Sequence, residues 1–261
     1  MVGAIVSTRR TAVWVLVCTA AVGWGLAAGV EISGHADAFH HHTLLEGGQS
    51  LGGALLTFVL AWQVMVAAMM LPSTLPMVEL FAAASSRETH PRRTIAAFLA
   101  GYAVVWMAFG VVALLGDAAL HRIVDDTPAL DARPWLVTGA LLVVAGVAQF
   151  LPLTQACLRS CRHPFAYLLE HYRPTALGGF SVGSNHGLYC LGCCWALMLV
   201  MFALGVANLI VMATLTGVMV YEKTGRHGTR LAGMVGIALI GLGVVVLLHP
   251  GWPPAALRGV E

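Results

Sequence analysis

The sequence predicts an all-α, polytopic membrane helix bundle of about seven transmembrane helices, with the N-terminus inside and the C-terminus outside. Three observations predict it. Of 261 residues, 59% are hydrophobic and only 10% charged, whereas soluble domains carry roughly 25% charged residues. Apolar runs near the roughly 20 residues that a span requires follow one another along the chain. The basic residues collect in alternate segments between those runs. The net charge of +2 is too small to point to nucleic acid, and none is expected as a partner; the expected surroundings are the lipid bilayer.

The first run, 11–30, follows Arg9 and Arg10. It is longer than the core of a signal peptide, so it reads as a retained signal-anchor helix. The second, 51–84, is long enough to cross a bilayer and continue as an interfacial helix. Pro72 and Pro76 within it each remove a backbone donor and are expected to break it. Runs at 94–116 and 134–152 give the third and fourth spans. The segment 153–185 reads as a cytoplasmic loop carrying Cys157, Cys161, His163 and His171. Runs at 186–204 and 206–221 are separated only around Gly205 and read as a tight helical hairpin. The last span is 230–249. The chain reads as one integral membrane domain, 1–261. Its 29 glycines are spread through the runs, as close helix packing in lipid requires.

The positive-inside rule tests this count. With the N-terminus in the cytoplasm, the inner segments hold Arg9, Arg10, Arg87, Arg92, Arg93, Arg159, Arg162, Arg173, Lys223, Arg226 and Arg230. That is 11 of the 14 basic residues. Only Arg122, Arg133 and Arg258 fall outside, together with most of the acids: Glu31, Asp37, Glu46, Asp117, Asp125, Asp126, Asp131 and Glu261. The pattern matches a multi-pass protein of the bacterial cytoplasmic membrane.

Chemistry concentrates in the cysteines. Five of the six fall between Cys157 and Cys194. On a helix turning 100° per residue, Cys190, Cys194, Met198 and Met201 lie within roughly 80°, and adding Cys193 and His186 widens the arc to about 140°. One face therefore presents thiols followed by thioethers, soft donors that select Cu(I) and, for thiolate, zinc. Cys and Met are also ordinary buried apolar residues. Cys157 and Cys161 share one helical face at a spacing of four and could chelate a metal, form a redox pair or do neither. In the second span Met65 and Met69 share a face beside the expected Pro72 break, where a transport site or a simple kink would both fit. Glu79 lies either in the membrane, where an acid is costly, or at its inner edge. The loop with His35, Asp37, His40, His41, His42 and Glu46 could hold a metal weakly or be a plain polar loop. Cys18 reads as core. No P-loop, G-x-S-x-G or H-E-x-x-H pattern occurs, so the chain is not read as an enzyme.

Three blocks carry a resemblance: Trp62-x-x-Met65-x-x-x-Met69-Met70-Leu71-Pro72-Ser73, Cys157-Leu-x-x-Cys161-Arg162-x-Pro164, and Gly187-Leu-Tyr-Cys190-Leu-Gly-Cys193-Cys194-Trp195-Ala-Leu-Met198, followed by Glu222-Lys223. In these the chain resembles a bacterial family of predicted metal-binding integral membrane proteins, some of which look like copper chaperones for tyrosinase-type oxidases. The resemblance implies copper, and a secreted or membrane cuproenzyme as recipient. It implies no catalytic mechanism. The resulting expectation is a copper chaperone or transporter of the inner membrane. Its metal ligands are drawn from Cys190, Cys193, Cys194, Cys157, Cys161, Met198, Met201, Met65, Met69 and His186. A membrane redox or thiol enzyme and a structural assembly subunit are the alternatives.

Overall fold

The computed structural model describes residues 2–33, 51–204 and 208–249. Among these there is no strand. The helices are α1 Val2–Ile32, α2 Leu51–Ser85, α3 Pro91–Asp125, α4 Pro128–Asp131, α5 Pro134–Ala148, α6 Pro152–Arg162, α7 Pro164–His171, α8 Ala176–Leu204, α9 Leu209–Thr224 and α10 Gly228–Leu248. Proline stands at the first position of α3 to α7, where its missing N–H costs nothing and its fixed φ favours the helix. The α9 start is capped twice. Asn208 accepts from the amides of Ile210 and Val211, and the Glu31 carboxylate accepts from that of Leu209 at 2.9 Å, tying the end of α1 to α9.

Five helices are long and apolar enough to cross a membrane: Val6–Ile32, Leu55–Ser85, Pro91–Asp125, Ala176–Met201 and Gly228–Leu248. The pair α5 and α6, bent by 60°, makes six if it counts as one broken span. The expected count of seven also needs α9. Its 16 residues reach only about 24 Å at 1.5 Å per residue, short of a hydrocarbon core of about 30 Å. Within the expected loop 153–185, α6, α7 and the first turns of α8 occupy most of the length. The charged and polar residues there had hidden two short amphipathic helices. Residues 205–207 and the histidine-bearing segment 35–46 lie outside the described residues, so the expected turn at Gly205 and an outer histidine site do as well.

The expected proline break is a correction, since α2 runs unbroken through Pro72 and Pro76. Pro72 cannot donate to the carbonyl of Ala68, four residues back. The Trp24 indole of α1 donates to that carbonyl instead, at 3.0 Å. Ser73 and Thr74 turn their hydroxyls onto the Met70 carbonyl at 2.8 and 2.9 Å. A neighbouring helix thus re-satisfies the carbonyl that Pro72 frees, as happens where proline stands inside membrane helices.

At the centre stands α8, with 56% of its membrane window buried, against 17–39% for the other candidate spans. It packs chiefly on α3, and also on α6 and α5, while α5 pairs with α10 and α1 with α2. Glycine allows the closest of these approaches. A Cβ on Gly183 would stand 2.0 Å from the Phe98 carbonyl oxygen, and one on Gly101 2.3 Å from that of Phe180. Small residues let membrane helices meet backbone to backbone in this manner. One buried cluster gathers Trp62, Met65, Met69, Met70, Trp106, the three α8 cysteines, Met198 and Met201. A second forms around Met77, Phe81, Phe98 and Leu168. Beside the second, Tyr172 donates to Glu88. Burial first, and then that bond, push its hydroxyl up to about 12. Cys18, expected in the core, is exposed on α1, because the first helix buries only a narrow strip. Glu79 pairs with Arg9 at 2.5 Å, both side chains being partly exposed.

Candidate metal centre

The sulfur cluster is assembled from three helices, and two more bring polar groups to it. From α8 come Cys190, Cys193 and Cys194, each at most 3% exposed. Their thiols turn inward along the helix. Cys193 Sγ lies 3.1 Å and Cys194 Sγ 2.7 Å from the Cys190 carbonyl oxygen. From α6 come Cys157 and Cys161, on one face as their spacing of four predicts. Cys161 Sγ stands 4.0 Å from Cys193 Sγ. Cys157 rests on Gly192, where a Cβ would come within 2.5 Å of its sulfur. From α2 comes Met70, whose thioether is 3.9 Å from Cys194 Sγ. From α9 comes Lys223, 7% exposed. Its ammonium donates to Cys190 Sγ at 3.0 Å and to Ser73 Oγ at 3.1 Å. Tyr102 of α3 closes the other side of Cys190 with its hydroxyl at 3.0 Å, and Thr74 Oγ1 lies 3.2 Å from that hydroxyl.

These separations bear on metal chemistry. Two sulfurs each about 2.3 Å from a shared soft ion stand about 3.8 Å apart at a tetrahedral angle and about 4.6 Å apart when opposed. The pairs Cys193–Cys161 and Cys194–Met70 both fall within that range. Among the described residues, no three His, Cys, Asp or Glu side chains are gathered as a metal-holding group. The arrangement is one of sulfur pairs rather than a closed cage. Low coordination by thiolate and thioether suits a soft monovalent ion and leaves an oxygen-seeking divalent ion poorly served.

Met65, Met69, Met198 and Met201 are buried in the same cluster as the cysteines. None of them makes the sulfur contact that Met70 makes. His186 is buried, stacked on the rings of Phe98 and Tyr102 and tilted against that of Tyr167, at centroid distances of 6.0–6.2 Å. Periodicity places it on the cysteine side of α8, one turn before Cys190.

Lys223, Tyr102, Ser73, Thr74 and Met70 also stand at the cluster, without having been expected there. Lys223 had been placed with the cytoplasmic charges. A basic residue directly after an apolar run is ambiguous, since it is either an interfacial anchor or a buried functional charge. Its carboxyl neighbour Glu222 is also buried, and Glu222 Oε1 has no hydrogen-bond partner. Arg162 of α6 donates to the Glu222 carbonyl at 2.5 Å and thereby fastens α6 to the end of α9. Tyr102 carries no spacing signal at all.

The family model described as PpoB2, copper chaperone, matches residues 59–246, well over half of the chain, and the matched stretch includes every residue of the cluster. No curated protein and no solved structure matches the chain.

Proposed function

The chain belongs to the PpoB2 copper chaperone family, and on that premise we propose that it takes up Cu(I) at the α6–α8 cysteines and hands it to a cuproenzyme outside the bacterial cytoplasmic membrane. The observation that carries this reading is the pair of close sulfur contacts, Cys193–Cys161 and Cys194–Met70, buried among apolar helices. Copper is cargo here, not a resident cofactor. The protein's part is to offer soft donors, to exclude water and to let the ion leave. Thiolates bind it, and the neutral thioethers of Met198 and Met201 continue the same helix face as weaker donors. Such a gradient favours passage over storage.

Two expected outcomes test the reading. Purified protein should bind Cu(I) and ignore Mg(II) and Ca(II), which demand oxygen ligands. Equilibrium dialysis under reducing conditions measures this, and a protein that binds no Cu(I) ends the proposal. Delivery outward further requires a defined topology. With N-in orientation, reporter fusions after Glu88 and Arg173 should read cytoplasmic, and fusions after His42, Asp126 and Val260 external. Seven crossings put the C-terminus outside, as does the positive-inside count. A cytoplasmic C-terminus would mean that the short α9 does not cross and that an even number of helices does.

A further inference from the structure

Two of the cluster's cysteines ride on α6, a helix of 11 residues. It leaves α5 through the 60° bend. At the bend Gln155 donates to the Gln149 carbonyl, a bond that reaches no other helix. Midway, α6 lies on α8 where Gly192 leaves room for the Cys157 sulfur. At its far end stands Arg162. Among the described residues, the bond from Arg162 to the Glu222 carbonyl is the one hydrogen bond from a nitrogen or oxygen of α6 to another helix. That carbonyl belongs to the last turn of α9, where carbonyls lack partners within the helix and attract a cation. Gly228, the first residue of α10, makes room for the contact. A Cβ there would stand 2.1 Å from the Arg162 guanidinium nitrogen and 2.0 Å from the Glu222 carbonyl oxygen. A guanidinium is always charged in proteins, so the contact does not depend on pH.

We infer that Arg162 is a positioning residue of the copper site: by fastening the end of α6 to the end of α9 it holds Cys161 against Cys193, and so sets how tightly that pair grips a soft ion. Arg162 follows Cys161 directly in the chain, and Cys161 Sγ is 4.0 Å from Cys193 Sγ. A helix held only at its bent end can swing, and the swing is widest at the far end, where Cys161 stands. Cys157, nearer the bend and seated on Gly192, is less affected. Arg162 acts through this placement, since its bond goes to a backbone carbonyl rather than to sulfur.

The inference rests on the copper-chaperone reading, and the test separates the two. Full-length protein in nanodiscs is titrated with Cu(I) under reducing conditions, in competition with a colorimetric chelator. Arg162→Met keeps the aliphatic stem and removes the donor. It should weaken Cu(I) binding about tenfold, the lower end of what the supporting groups of metal sites contribute. Gly228→Ala, which displaces the same contact from the α10 side, should weaken it similarly with Arg162 in place. Arg159→Met, at an exposed position of the same helix, should change nothing. A double-mutant cycle distinguishes positioning from general support of the fold. In a Cys161→Ser protein the sulfur that Arg162 places is gone, so adding Arg162→Met should cost nothing further. A metal-free readout stands beside it. In a chain whose only cysteines are Cys161 and Cys193, their cross-linking by a small disulfide reagent should slow when Arg162→Met is added. Wild-type affinity in Arg162→Met, an equal loss in both backgrounds of the cycle, or an unchanged cross-linking rate overturns the role of Arg162 and leaves copper binding intact. A wild type that binds no Cu(I) overturns both readings.

Discussion

Replacing Cys190, Cys193 and Cys194 together with serine should abolish nearly all Cu(I) binding, with the affinity falling by more than about 100-fold. Loss of groups that merely support a ligand already costs 10–100-fold. The substitution exchanges soft sulfur for a hard oxygen at constant shape, so it removes the donors that Cu(I) selects. The helix should tolerate the change. The thiols of Cys193 and Cys194 already lie against the Cys190 carbonyl, and serine hydroxyls make the same local bond within helices. Retained Cys157 and Cys161 sit across on α6, where Cys161 loses its contact with the Cys193 sulfur, so they should not hold copper alone. Equilibrium dialysis against a colorimetric Cu(I) chelator measures the loss, and circular dichroism reports the fold. Full copper binding by the triple variant would move the site to other residues, the histidine-bearing segment 35–46 first among them. It would also leave the α8 cysteines as packing, which is what a structural assembly subunit needs.

Much of this was legible in the sequence because lipid imposes simple rules. Apolar length marks helices, and five long ones stand where the runs did. The α8 face was legible too, because a rigid period fixes which of Cys190, Cys193 and Cys194 point together. What sequence could not supply was depth and the identity of the opposing helix. Met69 and Met70 are equally buried, and only the tertiary packing reveals that it is the Met70 thioether that lies against Cys194. Lys223 looked like an anchoring charge because its burial depends on where α9 ends against α6. That junction is made by Arg162 and by Gly228, where a Cβ would collide with the Arg162 guanidinium. Pro72 misled for a similar reason. The carbonyl it frees is answered by Trp24, 44 residues away in the chain, and no local pattern announces that partner.

Those same α2 contacts sharpen the expected behaviour of the methionines. Met65, Met69, Met198 and Met201 all lie in the buried cluster that holds the cysteines, at 6% exposure or less. Replacing all four with leucine roughly conserves volume and should cost under about 1.5 kcal/mol per site. Met70 stays, so the Cys194–Met70 pair keeps both sulfurs. The quadruple variant should therefore insert normally and bind Cu(I) at its cysteines with near wild-type stoichiometry. If the thioethers form the outward path, the variant should fail to load an extracytoplasmic cuproenzyme, read as oxidase activity in cells expressing it in place of the native chain. The contrast between intact binding and lost delivery is what distinguishes a relay from a reservoir. Oxidase activity equal to wild type would make the four residues packing, the ordinary role of methionine in a core. Loss of copper at the cysteines as well would place all the sulfurs in one shared site, and transfer would then have to proceed by opening of that site rather than by steps along α8.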